Sequence, residues 1–110
     1  PYTITTSDYL ISNLTDLVQT ARHKGIEVKL VVNPYYPPFA EKITNLNEII
    51  QKVEKATNLK VHDYSIAFNE LKGFGDYQHL NKYGSKKYLD LLIHDGILSI
   101  QEEQLSLLPK

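Results

Sequence analysis

Apolar positions recur first at helical spacing. Leu10, Leu14, Leu17, Val18 and Ala21 share one face of a 3.6-residue repeat and predict an amphipathic helix over residues 7–24. Thr6 or Ser7 can cap its orphan N–H groups, and Asp8 suits the positive end of its dipole. Arg22, His23 and Lys24 suit the negative end, and Gly25 supplies a left-handed stop. The period then changes. Residues 26–32, Ile-Glu-Val-Lys-Leu-Val-Val, start with alternation and end as an apolar run, which predicts a strand whose far end is buried on both faces. Asn33-Pro34-Tyr35-Tyr36-Pro37-Pro38 breaks regular structure. Ile43, Leu46, Ile49, Ile50 and Val53 predict a second helix over 40–57, with Asn58 as its stop. Residues 59–63 make a short second strand.

A loop containing Gly73 and Gly75 follows. Asn81 can cap a third helix running to about Ile93, with Leu80, Gly84, Tyr88, Leu91 and Leu92 on its buried side. Gly84 would let the backbone approach its neighbour closely. Asp95-Gly96 reads as a turn, residues 1–6 as a linker, and residues 97–110 as a tail without a firm element. The order helix–strand–helix–strand–helix implies an α/β fold, layered α/β/α with a short parallel sheet. Two parallel strands alone leave open edges. Tyr2–Thr5, a partner chain, or the missing part of a larger domain could complete the sheet; the last is favoured, because the chain starts at Pro1 and holds no Met.

Composition then narrows the function classes. Of 110 residues, 12 are basic and 13 acidic, for a net charge of −1. That balance carries no electrostatic footprint for nucleic acid or an anionic membrane. No apolar run approaches the ~18 residues that span a bilayer. Zero Cys removes disulfides, thiolate metal sites and a Cys nucleophile. No Gly-rich phosphate loop follows the first strand, so nucleotide binding has no support, and no cofactor is implied.

In open α/β sheets, sites form at the carboxyl ends of strands. The loop leaving the second strand holds the one dense polar run, Gly75-Asp76-Tyr77-Gln78-His79-Leu80-Asn81. A carboxylate three residues before a His, on a tight turn into a helix, can reach the near ring nitrogen. It then fixes the tautomer and leaves the far nitrogen to take a proton from a nucleophilic hydroxyl. Gly73 and Gly75 would supply the backbone freedom for that turn. The plain alternative is a loop Asp and a His that merely precedes a helix. No other histidine competes. His62 and Asp63 are adjacent on a strand and point to opposite faces, which argues against a shared metal. His23 and His94 sit at helix ends. Asp63 closes the second strand, where it would bond loop N–H groups.

The run from Gly75 to Tyr88 resembles the last conserved block of the SGNH (GDSL-like) hydrolase superfamily. There an Asp-x-x-His pair is followed by Leu-Asn and a Gly inside the final helix; here these are Asp76, His79, Leu80, Asn81 and Gly84. The upstream order of elements is similar, so the resemblance spans most of residues 7–93, about the C-terminal half of such a domain. It implies a flavodoxin-like α/β/α sandwich and hydrolysis or transfer of an ester-linked acyl group. His79 would be the general base and Asp76 its orienting carboxylate. The implied partner is an acyl ester substrate, in some relatives one on cell-envelope polysaccharide.

The nucleophilic Gly-Asp-Ser block and the oxyanion-hole segments of that family are absent. Ser7 reads as a cap, Ser12 and Ser85 lie within helices, and Ser65 lacks the glycines of a nucleophile elbow. The expectation is therefore an Asp–His pair that is inactive alone. The alternative is a noncatalytic α/β module completed by a partner chain. Either way the open sheet predicts self-association or pairing with the missing N-terminal part. Tyr35, Tyr36 and Phe39, stiffened by Pro34, Pro37 and Pro38, could form an aromatic rim for a sugar or an acyl chain, with Asn33 beside them. The competing reading is a stiff loop packing its rings on the second helix.

Overall fold

The computed structural model describes residues 3–76 and 79–99. The elements are α1 (Asp8–His23), β1 (Leu30–Val32), α2 (Pro37–Ala40), α3 (Leu46–Thr57), β2 (Val61–Asp63), a 3-10 turn at Leu71–Gly73 and α4 (Lys82–His94). The chain is thus mixed α/β, and about half of the described residues are helical. It divides into two units, Pro1–Leu71 and Lys72–Lys110.

In the first unit β1 and β2 form a two-stranded parallel sheet. Leu30 pairs with Val61, Val31 with His62 and Val32 with Asp63. α3 provides the crossover and lies against β2, and α1 lies against α3. The core gathers Val18 from α1, Val61 from β2 and Tyr64 just beyond it. Side chains alternate across the sheet, so Leu30, Val32 and Val61 share a face while Val31 points the other way. Val31 is 36% exposed, so the end of β1 is not covered on both faces. Its strand is also shorter than the apolar pattern suggests, because Gly25 (φ 72°) turns the chain and leaves Ile26 exposed.

The stripe that α1 buries differs from the expected one. Val18 is buried, with Ile11, Leu14, Thr15 and Ala21 half-buried around it. Leu10 and Leu17 are 59% and 66% exposed. Among the described residues α3 is the helix packed on α1, and it covers a narrower arc than the apolar residues occupy.

The single helix expected over 40–57 is two helices. Pro37 and Pro38 start α2 at positions where the missing N–H costs nothing. Asn45 then leaves the helical region at φ −125°. Its side-chain amide clasps the Ile4 peptide, accepting from Ile4 N–H at 2.6 Å and donating to Ile4 O at 2.7 Å. Occupied in this way, the amide makes no cap bond to α3. Residues 3–5 therefore run as non-strand chain; Tyr2 lies outside the described residues.

Helix ends follow the sequence closely. The Ser7 hydroxyl accepts from Leu10 N–H at 3.2 Å. After α1, Gly25 N–H donates to Arg22 O and Ile26 N–H to Ala21 O, a Schellman motif. After α4, Gly96 N–H donates to Ile93 O and Ile97 N–H to Leu92 O, the same motif, with Gly96 at φ 75°. α3 ends on Asn58 at φ 56°, whose N–H donates to Glu54 O. Asn tolerates this left-handed position better than other non-glycine residues. Glu54 also accepts Val61 N–H at 2.8 Å through its carboxylate, tying the end of α3 to the start of β2.

The second unit is built on α4, whose buried side carries Gly84, Tyr88 and Leu92. Leu80 and Leu91 are half-buried beside them. Phe74 is buried and forms an antiparallel bridge with Leu80. Of the 97–110 tail, residues 100–110 lie outside the described residues.

Candidate active site

The loop from Lys72 to Asn81 is folded by its own polar groups. Asn81 is the keystone. Its side-chain oxygen accepts Gly84 N–H at 3.0 Å and caps α4, while its side-chain N–H donates to Lys72 O at 2.6 Å. Its backbone N–H donates to Gly73 O at 2.9 Å. These bonds hold the 3-10 turn at Gly73 against the first turn of α4. The approach is so close that a Cβ on Gly84 would lie 2.0 Å from Gly73 O. A Cβ on Gly73 would sit 3.3 Å from Gly84 Cα.

The glycines of this loop act differently from expectation. Neither Gly73 nor Gly75 takes a positive φ. Gly73 serves by having no side chain at the contact with Gly84. At Gly75 a Cβ would meet only ordinary contacts at 3.9 Å.

The Phe74–Leu80 bridge closes a turn, and Gly75 N–H donates to His79 O at 2.9 Å inside it. Asp76 and His79 are thereby brought together. Asp76 Oδ1 accepts His79 backbone N–H at 2.9 Å. The same carboxylate faces the ring, with His79 Nδ1 at 2.9 Å from Oδ1 and 3.0 Å from Oδ2. A carboxylate accepts only, so Nδ1 carries the hydrogen and the neutral ring presents Nε2 as a base. Nε2 makes no hydrogen bond among the described residues. The His79 side chain is 73% exposed and that of Asp76 is 55%. The arrangement can orient an imidazole; exposure to water screens its attraction for the carboxylate. Tyr77 and Gln78 lie outside the described residues.

The predicted rim residues belong to the first unit and do not act together. Tyr36 is the N-cap of α2 and is half-buried. Asn33 is exposed. Tyr35 is half-buried, packs edge-on against Phe39 with ring centroids 6.0 Å apart, and lines a crevice of about 220 Å3 at the carboxyl ends of β1 and β2. Asp63 at the end of β2 and Ser65 just beyond it line it on one side, and Thr44 before α3 and Asn47 in its first turn on the other. Asn33 and Tyr36 are not part of this lining.

Two bonds shape the crevice floor. Tyr35 N–H donates to Ser65 O at 2.9 Å, continuing the parallel pairing past the strand ends. Ser65 N–H donates to Asp63 Oδ1 at 2.9 Å, the Asx turn expected of a strand-closing Asp. Burial pushes the Tyr35 phenol above its usual pKa, and the nearby Asp63 charge pushes it the same way. The Tyr35 hydroxyl therefore stays neutral at physiological pH. The sequence reading placed Asp63 and Ser65 beside the strand but missed the crevice. Its signal was their position at a parallel strand's carboxyl end, where a loop must turn away.

Among the described residues no three His, Asp or Glu side chains converge as a metal site would require, and no helix is long and apolar enough to cross a membrane. No family model, no curated protein and no solved structure matches the chain.

Proposed function

We propose that this chain contributes the Asp–His part of a Ser-His-Asp triad to an SGNH-like esterase or acyltransferase. In that reading the described α/β elements belong to a flavodoxin-like α/β/α sandwich. The observation that carries it is the Asp76 carboxylate on His79 Nδ1 at 2.9 and 3.0 Å, with Nε2 left unbonded. Asp76 holds the tautomer and stabilises the imidazolium. His79 Nε2 takes the proton of a serine hydroxyl as it attacks the acyl carbonyl, then returns it to the leaving alcohol. The serine and the oxyanion donors come from residues other than those resembling the family here. The substrate is an acyl ester, with a cell-envelope polysaccharide as one class of alcohol.

The test is ester turnover by the full translation product of the gene. With p-nitrophenyl acetate, His79→Ala lowers the rate by roughly 10³-fold or more, and Asp76→Asn lowers it with a change in pH profile. A His79→Ala rate equal to that of the parent overturns the assignment.

A second reading, a noncatalytic module completed by a partner chain, is favoured by a separate observation. Leu10, Leu17 and Val31 are exposed, and among the described residues both strands of the sheet are edge strands. Size-exclusion with light scattering separates the two consequences. A concentration-dependent dimer that dissociates in Leu10→Glu/Leu17→Glu supports the module reading; a clean monomer removes it.

A further inference from the structure

The crevice at the carboxyl ends of β1 and β2 points to a second function: we propose that it binds one polyhydroxylated ring, a sugar or cyclic polyol. Open α/β sheets present ligand sites at this end of their strands. At about 220 Å3 the crevice is below the ~300–1,000 Å3 of pockets for drug-sized ligands and suits a single small ring.

Its lining decides the chemistry. Ile43 and Leu46 supply an apolar wall, and Tyr35, Asp63 and Ser65 supply the polar one. Ser65 is 3% exposed, yet its hydroxyl makes no hydrogen bond among the described residues. The Tyr35 hydroxyl makes none either, and it remains a neutral donor and acceptor. Asp63 uses one carboxylate oxygen on Ser65 N–H and keeps the other for a ligand. No buried side-chain oxygen or nitrogen among the described residues lacks a hydrogen-bond partner, so these two hydroxyls open onto the crevice, where a ligand hydroxyl can bond them in place of water. A ring bearing several hydroxyls satisfies Ser65, Tyr35 and Asp63 together and lays its C–H face on the apolar wall. A small ammonium ion would satisfy Asp63 alone and leave both hydroxyls unpaired.

The site rests on residues 35–66 and requires no ester chemistry, so loss of the esterase reading leaves it standing. Its test is a titration of the 15N-labelled chain with methyl β-D-glucopyranoside, with methylammonium as the cationic control. The expected result is saturable movement of the Tyr35, Asn47, Ser65 and Ile66 amide signals. Asp63→Asn keeps an oxygen for Ser65 N–H, so the spectrum stays folded while the sugar binds about tenfold more weakly. Tyr35→Phe weakens binding by a smaller factor. Three results overturn the proposal: no saturable shift at the solubility limit of the sugar, unchanged affinity in Asp63→Asn, or the same signals moving at lower concentrations of methylammonium.

Discussion

The Asp76–His79 turn and the Tyr35–Asp63 crevice are built by opposite means. The bonds described for the turn join residues between Lys72 and Gly84. The crevice draws its walls from residues 35, 40–47 and 63–66, which meet only because two strands pair in parallel around a crossover. The turn is exposed and dense in hydrogen bonds; the crevice is a half-open recess onto which the Tyr35 and Ser65 hydroxyls open. A locally bonded turn can orient a catalytic pair without a cavity. A recess walled by segments distant in the chain needs long-range packing to hold it open.

The comparison is broken most severely at Gly84. A methyl group there must displace the Gly73 carbonyl, so Gly84→Ala costs about 3 kcal/mol in denaturant unfolding. Amide exchange in Phe74–Leu80 accelerates with it, while the first unit keeps its spectrum. Asn81→Ala comes next. It removes the α4 cap and frees the Lys72 carbonyl, for a loss of about 2 kcal/mol. It also loosens the Asp76–His79 geometry, read as a shift of the His79 nitrogen signals towards a mixture of tautomers.

Asn45→Ala acts on the other region. Breaking the clasp on Ile4 costs about 1–2 kcal/mol. It should broaden the amide signals of Thr44 and Asn47 beside the crevice without moving those of Asp76 or His79. If His79 responds as strongly as Asn47, the two regions are not built independently.

The smallest effect is alkaline. Tyr35 and Tyr88 have raised pKa values, both chiefly through burial. Above pH 10 the unfolded chain loses phenolic protons that the native chain retains, so stability falls as pH rises through that range. Tyr35→Phe and Tyr88→Phe each flatten the fall, one in each region. Equilibrium unfolding between pH 8 and 12 measures it, and an unchanged slope in both variants excludes these phenols as its source.

Local features of the fold were legible because local physics decides them. Ser7, Gly25, Asn58, Asn81 and Gly96 end or begin helices as their side chains and backbone freedom require. The close approach at Gly84 was legible for a similar reason, since a glycine inside an otherwise helical pattern implies a contact with no room for a side chain. The Asp76–His79 bond followed from three-residue spacing in a turn. Misread features all depended on partners far away in the chain. Asn45 breaks the expected helix because Ile4 occupies its amide. Leu10 and Leu17 stay exposed because α3, packed on α1, covers only part of its apolar face, and Val31 stays 36% exposed on the sheet face opposite Leu30 and Val32. Gly75 was assigned a conformational role that its φ does not use.

The sequence by itself determined both ends of α1 and α4 and the end of α3, the α/β order of elements, and the pairing of a carboxylate with a histidine. Each of these is settled within a turn or two of chain, where capping, φ preference and hydrogen-bond reach act alone. Tertiary structure decided which apolar residues are buried, how far the strands extend, and that Tyr35, Asp63 and Ser65 enclose a crevice. Those outcomes depend on which surfaces meet, and burial is a property of the neighbours as much as of the residue.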